Sequence, residues 1–220
     1  MENLERQFED RADRILKPYL WKNEKGEEKE ATVRYATEND LDGLMSLDRD
    51  RAQYRLKRYN IKKDEKDIGK DLDENLKKSL EQQDQWAFII MEADGKAVGY
   101  IEFGPDSEKG SDVIHVGTLS TIQMDDEYKG KGFGKELLEQ MEEQAKEEFH
   151  GRSIELNTHS WNQDAIKFWE KNGFEGIGIV EEHKDKHGNP VKITDNETGK
   201  EYDSKMIRMR RDLYPESEQE

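Results

Sequence analysis

Apolar side chains fall into short, regularly spaced groups separated by dense charge, and the spacing changes character along the chain. Over residues 1–20, Leu4, Phe8, Ala12, Ile15, Leu16 and Tyr19 recur at intervals of three and four, which predicts an amphipathic helix with Pro18 near its end. Residues 21–30 are a charged connector, so the expected division is 1–30 as helix and linker, 31–214 as the main domain and 215–220 as a mobile tail. A short strand is predicted over 32–36. Cap-type residues Thr37 to Asp40 then precede Leu41, Leu44, Met45 and Leu47 at helical spacing. The stretch 49–70 is rich in charge, and Leu72, Leu76 and Leu80 mark another helix. Residues 86–93 and 97–103 are β-rich apolar runs joined by Asp94-Gly95, a strong hairpin signal. Residues 113–124 form a long or bulged strand with Gly117 inside it. Phe133, Leu137, Leu138, Met141, Ala145 and Phe149 trace one face of a helix. A strand over 153–158, a short helix over 162–172 closed by Gly173, and strands over 174–181 and 205–211 complete the pattern. Two turn signals between the last strands predict a long hairpin or small subdomain there. The order β-α-α-β-β-β-α-β-α-β-β is that of an α/β (α+β) chain, a mixed sheet flanked by helices.

Composition narrows the functional classes. The 220 residues carry 52 acidic and 36 Lys and Arg side chains, a formal charge of −16. That charge disfavours nucleic acid as a partner and suits cationic ones through its long-range field, or it serves solubility alone. The absence of Cys excludes disulfides, thiolate metal sites and Cys nucleophiles. No apolar run approaches a membrane span and the first ten residues are polar, so the expectation is a cytoplasmic protein with no membrane partner. His183 and His187 stand four apart beside turn residues rather than on a helix, so no metal is expected.

The segment Tyr128-Lys-Gly-Lys-Gly-Phe-Gly-Lys135 follows a strand and opens a helix. Gly130, Gly132 and Gly134 allow backbone N–H groups to converge without Cβ obstruction, and Lys129, Lys131 and Lys135 add three cations beside a helix N-terminus. That combination suits a phosphate or pyrophosphate. It fits neither the P-loop nor the dinucleotide pattern, because Glu136 follows Gly134-Lys135 and Lys135 stands where a third Gly would be needed. The glycines would also serve a tight strand-to-helix turn.

The stretch Asn162-Gln-Asp-Ala-Ile-Lys-Phe168-Trp169-Glu-Lys-Asn-Gly173-Phe174 lies one strand further on. Together the two units resemble the GNAT superfamily of acyl-CoA-dependent N-acetyltransferases. Lys129-Gly-Lys-Gly132-Phe-Gly134 matches its [QR]-x-x-G-x-[GA] loop, with Lys in the first place, and Asn162 to Phe174 matches its N-x-x-A-[IL]-x-[FL]-Y-x-x-x-G-F unit. The opening Val33-Arg34 to Leu41 is also similar, and the likeness spans about residues 31–213. It implies a V-shaped sheet splayed between the strand ending at Met124 and the strand 153–158, with the pantetheine arm of acetyl-CoA in the splay. The arm would bond backbone near Ile122 and Met124, the pyrophosphate would rest on residues 130–135 (Phe133 included), and Asn162 would touch the arm. The acceptor would be the primary amine of a cationic small molecule or a protein, and a homodimer is compatible with the family.

Transfer to an amine needs a neutral nucleophile, yet a lysine-like amine of pKa about 10.4 is neutral in roughly one molecule of a few thousand at pH 7. A base is therefore expected. The resemblance assigns the Met124 N–H to the oxyanion. It places Trp169 where many members carry a proton-donating Tyr and Asn157 where some carry a Glu base. Glu102, His159, His115 and Tyr128 remain as candidates; Glu102 could equally be an exposed, Lys-paired strand residue, and His159 a loop histidine. The departures at Trp169 and Asn157 also motivate a rival reading, a non-catalytic acyl-CoA-binding or sensor module. A nucleotide-phosphate binder using the same loop is a third.

Overall fold

The computed structural model describes residues 14–64, 67, 72–82, 85–106, 109–121, 125 and 127–214. Ten strands and four helices follow one another: β1 (Tyr19–Lys22), β2 (Glu28–Tyr35), α1 (Leu41–Tyr59), α2 (Leu72–Glu81), β3 (Ala87–Ala93), β4 (Lys96–Asp106), β5 (Gly110–Thr121), α3 (Phe133–Glu147), β6 (Ser153–His159), α4 (Gln163–Lys171), β7 (Glu175–Glu182), β8 (Lys192–Thr194), β9 (Glu201–Asp203) and β10 (Lys205–Asp212). Eight strands form one sheet in the order β1-β2-β3-β4-β5-β6-β10-β7, and β8 pairs with β9 apart from it. Every neighbouring pair in the large sheet is antiparallel except β5 and β6.

The core is built on both sheet faces. Leu137, Leu138, Met141 and Ala145 of α3 pack on one face, and Leu44, Leu47, Leu72 and Leu76 of α1 and α2 on the other. Asp94 and Gly95 both adopt positive φ, 51° and 72°, the two-residue turn that matches strand twist, so the β3–β4 hairpin forms where expected. At the C-terminus of α1, Asn60 takes φ 53° and donates its N–H to Arg55 O and Leu56 O.

The N-terminal expectation is corrected in part. Residues 1–13 of the predicted helix lie outside the described residues. Tyr19–Lys22, placed at its end and in the linker, is instead a strand paired with Glu28–Ala31, so the charged connector is a hairpin turn on the sheet edge. Ile15 also bridges to Arg34. Backbone pairing with β2, available only in the folded sheet, overrides the helical spacing at Tyr19, the last of its apolar positions.

The feature that positions the site lies in β5. Glu102 of β4 pairs with Thr118, but the next residue, Phe103, pairs with Val116, so Gly117 is the extra residue of a β-bulge. Pairing between β5 and β6 is confined to Val113–Val116 against Ser153–Leu156 and stops at the bulge. A bulge bends its strand and increases the local twist. Beyond it the two parallel strands run on unpaired, to Thr121 and His159, and the sheet opens into a V.

Candidate functional site

The splay is the wall of a cavity of about 610 Å³. β5 residues 116–121 and Leu156, Asn157 and Thr158 of β6 form its sides, the turn 128–135 closes one end, and α1 and α4 cover it.

The turn has the geometry expected of an anion cradle. Gly130 and Gly132 adopt φ 73° and 88°, a region costly for side-chain-bearing residues, and Gly132 is the N-cap of α3. Tyr128 and Lys129 donate their N–H groups to Asp125 O, and Lys135 and Glu136 to Gly132 O. The N–H groups of the five residues between them, 130 to 134, have no partner among the described residues. Unpaired N–H groups at a helix N-terminus carry a partial positive charge and bind anions. Lys129 and Lys131 have no ion pair among the described residues, whereas Lys135 is tied to Glu139 at 2.8 Å. A Cβ on Gly130 would meet nothing within 4 Å, so the approach is open there. These residues fit a diphosphate.

The turn is braced from an unexpected direction. Tyr19 of β1 donates its hydroxyl to Lys131 O at 2.8 Å, and a Cβ on Gly132 would lie 2.5 Å from that hydroxyl. Trp21 of the same strand packs against Tyr128 and Phe133, at ring centroid distances of 5.6 and 5.4 Å, and Tyr19 meets Phe133 edge-on at 6.0 Å. Phe133 is therefore a buried anchor of the turn. Removing one such hydrogen bond costs about 0.5–1.5 kcal/mol. Tyr19→Phe is expected to weaken coenzyme A binding about 2- to 10-fold in a calorimetric titration. An unaltered affinity would show that the brace does not set the loop.

Among the remaining expected residues, Asn162 caps α4, its side-chain oxygen accepting the Ala165 N–H at 3.4 Å, and it lines the cavity. Gly173 closes that helix with φ 82°, as expected. Trp169 and Asn157 also line the cavity; Trp169 is buried between Phe168 and Phe174 and contributes a wall. Ile122 and Met124 lie outside the described residues.

Glu102 is not an exposed strand residue: it is 7% exposed and accepts a hydrogen bond from Asn75 at 3.0 Å. It stands directly behind the bulge. A Cβ on Gly117 would come within 3.0 Å of the Glu102 carboxyl carbon, and Gly117 itself lines the cavity. Glu102 is not itself among the residues lining the cavity, and with no side chain on Gly117 its carboxylate lies behind that residue.

His159 and His115 are not among the residues lining the cavity. His159 stacks on Trp161 at 4.7 Å and 14°, and its buried Nδ1 has no hydrogen-bond partner among the described residues. Burial, then the nearby Arg55 and His183 charges, lower its pKa to about 4. The unfolded chain, with an ordinary value near 6.5, takes up this proton first. The stabilising contribution of neutral His159 is thus complete above about pH 6.5 and is lost as the pH falls through 4. The urea midpoint of His159→Asn is expected to fall less steeply than that of the wild type between pH 6.5 and 4; parallel curves would refute this. His115 is half-buried, and burial lowers its pKa, outweighing the Asp106 carboxylate, which raises it, while Lys109 lowers it further.

Tyr54 and Tyr59 stand in α1, the helix that the resemblance places beside the acceptor, and both line the cavity; Arg51 and Arg55 of the same helix, not expected from the sequence, line it too. Arg58 ties three elements together: it donates to Tyr54 Oη at 2.6 Å and to Asp195 at 3.2 Å, and bonds Asp164 of α4. Asn196 caps the end of α1, its backbone N–H on Arg58 O and its side chain on Lys57 O. The excursion between β7 and β10 thus fastens α1 over the splay. Among the described residues, no cluster of His, Asp or Glu could hold a metal ion, and no helix is long and apolar enough to cross a membrane.

Known proteins share this arrangement. An uncharacterized N-acetyltransferase of Methanocaldococcus jannaschii is 28% identical over 149 residues, 68% of this chain; the match spans 62% of the relative's length. The PaiA N-acetyltransferase of Thermoplasma acidophilum, solved with coenzyme A, superposes with a TM-score of 0.59 at 19% identity, covering 83% of this chain and 98% of that one. YncA of Salmonella typhimurium, solved with acetyl-CoA, gives 0.59 at 17% identity over 83% and 94%. At these identities the structures speak for the fold. The profile of the acetyltransferase (GNAT) family matches residues 46–174, from early α1 to the end of the α4 unit. With the splayed sheet, the glycine turn and the capped α4 all inside or bordering that match, the chain belongs to the GNAT family of acetyltransferases.

Proposed function

We propose that the protein transfers an acetyl group from acetyl-CoA to a primary amine. The observation that carries this reading is the row of five N–H groups at residues 130–134 that have no partner among the described residues, opening onto a cavity that continues between β5 and β6. Two of the structures similar in fold contain coenzyme A or acetyl-CoA, which supports the same ligand class here.

Acetyl-CoA supplies the acetyl group as an activated thioester, so a C–N bond forms as the C–S bond breaks. The turn and Lys129 and Lys131 would hold the diphosphate, and Asn162 and the edges of β5 and β6 would guide the arm. Glu102, reached through the gap at Gly117, would take the proton that the ammonium must lose. The Met124 N–H remains the proposed oxyanion donor on the strength of the family pattern alone. With Trp169 in place of a tyrosine, the leaving thiolate would be protonated from solvent, since coenzyme A thiolate is a fair leaving group. The acceptor is a small molecule or a protein; in both cases its reactive group is an amine.

Thiol release from acetyl-CoA across a panel of amines tests the reading. Amine-dependent release with a matching acetylated product is the expected result. Tight coenzyme A binding with no release for any amine would instead favour the binding-module reading. Equal competition by ATP would favour a nucleotide-phosphate site.

A further inference from the structure

The arginines of α1 differ sharply in how they are neutralised. Arg51 is bonded to Asp48, whose other oxygen takes Lys63 Nζ at 2.9 Å. Arg58 is held by Asp164 and Asp195. Arg55 lies between them on the same helix and lines the cavity, yet its guanidinium has no hydrogen bond or ion pair among the described residues. It sits over the Trp161 ring, 5.7 Å from the centroid, and is only partly exposed. Burial, followed by the charge of Arg51, pulls its pKa down to about 10, the mark of a cation whose surroundings leave it uncompensated.

Two other polar groups of the cavity wall are in the same condition. Tyr59 Oη and Ser120 Oγ are buried without a hydrogen-bond partner among the described residues, and Tyr59 packs against the same Trp161 at 4.9 Å. A forked guanidinium with five donors and two hydroxyls that can donate make a wall with donors to spare. Leaving such groups unpaired in a partly dry site is costly, and a planar anion relieves the cost through charge-assisted bonds.

We infer that the acceptor carries a carboxylate near its amine and that Arg55 binds it. This rests on the proposed acetyl transfer at the same cavity. It also refines the expectation drawn from overall charge. The chain's field of −16 attracts cations from a distance, whereas the α1 wall offers a local positive charge; an amine bearing a carboxylate is net neutral, so the local charge and not the long-range field selects it. Two sources present this chemistry, a free amino acid and the acidic first residue of a peptide.

Matched acid and amide ligands separate these cases without requiring turnover. Calorimetry on protein saturated with coenzyme A would compare N-acetylglycine with N-acetylglycinamide, and N-acetyl-Asp-Ala-amide with N-acetyl-Asn-Ala-amide. The acid of at least one pair is expected to bind about tenfold more tightly than its amide. Arg55→Ala should erase that preference, Arg55→Lys should keep part of it, and the coenzyme A Kd should stay within about twofold in both. The first pair reports a free amino acid and the second an acidic peptide. Equal binding of acid and amide in both pairs would overturn the inference. So would an Arg55→Ala variant that weakens coenzyme A instead, since the guanidinium would then serve the cofactor's own phosphates. An acid preference without thiol release from any amine would leave the carboxylate site standing and remove acetyl transfer.

Discussion

Gly132→Asp is expected to weaken coenzyme A binding at least 100-fold while the protein stays folded. Three effects act together. The residue has φ 88°, where a side-chain-bearing residue costs about 1–2 kcal/mol. The new Cβ would lie 2.5 Å from Tyr19 Oη, so the tyrosine must swing away and release its bond to Lys131 O. A carboxylate would then stand among the N–H groups of residues 130–134, both repelling a diphosphate and competing for its donors. Hydrogen bonds to charged partners contribute about 1.5–3 kcal/mol each, so losing one or two accounts for the factor. Gly132→Ala isolates the first two effects and should weaken binding less. Gly130→Ala, whose Cβ meets nothing, should carry the backbone strain alone. Titration of the three variants with coenzyme A, each checked by its Tm, gives the ranking. An affinity for Gly132→Asp within tenfold of wild type would remove the turn from the site.

That ranking could not be read from the chain alone, where the three glycines look equivalent. Gly130 and Gly132 prove to need positive φ, whereas a Cβ on Gly134 would make ordinary contacts with the Phe168 ring at 3.4 Å and Leu119 at 3.7 Å. What was legible is local: the Asp94-Gly95 turn, the stop at Gly173 and the bulge residue Gly117 each leave their mark within a few residues. What was not legible is carried by distant partners. Tyr19 reaches a turn 112 residues away, and its strand is only four residues long, too short to stand out against the helical spacing before it. The arginines on the covering face of α1 were missed for another reason. Arg51 and Arg55 recur at a helical interval, but they turn polar tips to a cavity, and a reading based on apolar periodicity registers such residues as a charged surface.

Glu102→Gln should lower kcat by about 10²- to 10⁴-fold with little loss of stability, the range typical of removing a general base. The fold should tolerate the change because the amide oxygen can still accept the Asn75 bond and the volume is conserved. The pH profile separates a base from a structural residue. The acceptor amine titrates in both proteins, so kcat/KM keeps that limb; kcat at saturating acceptor should lose its acid-side limb in the variant. Glu102→Asp, which restores a carboxylate on a shorter stem, should recover part of the rate. Gly117→Ala gives an independent check, because it leaves the carboxylate intact and fills the gap in front of it, with the new Cβ 3.0 Å from the carboxyl carbon. It should reduce kcat while altering the coenzyme A Kd little, since the diphosphate turn is untouched. If Glu102→Gln kept its acid-side limb and most of its rate, the proton would have to leave by another route. The bulge would then matter only for opening the strands, and Gly117→Ala should in that case preserve kcat as well.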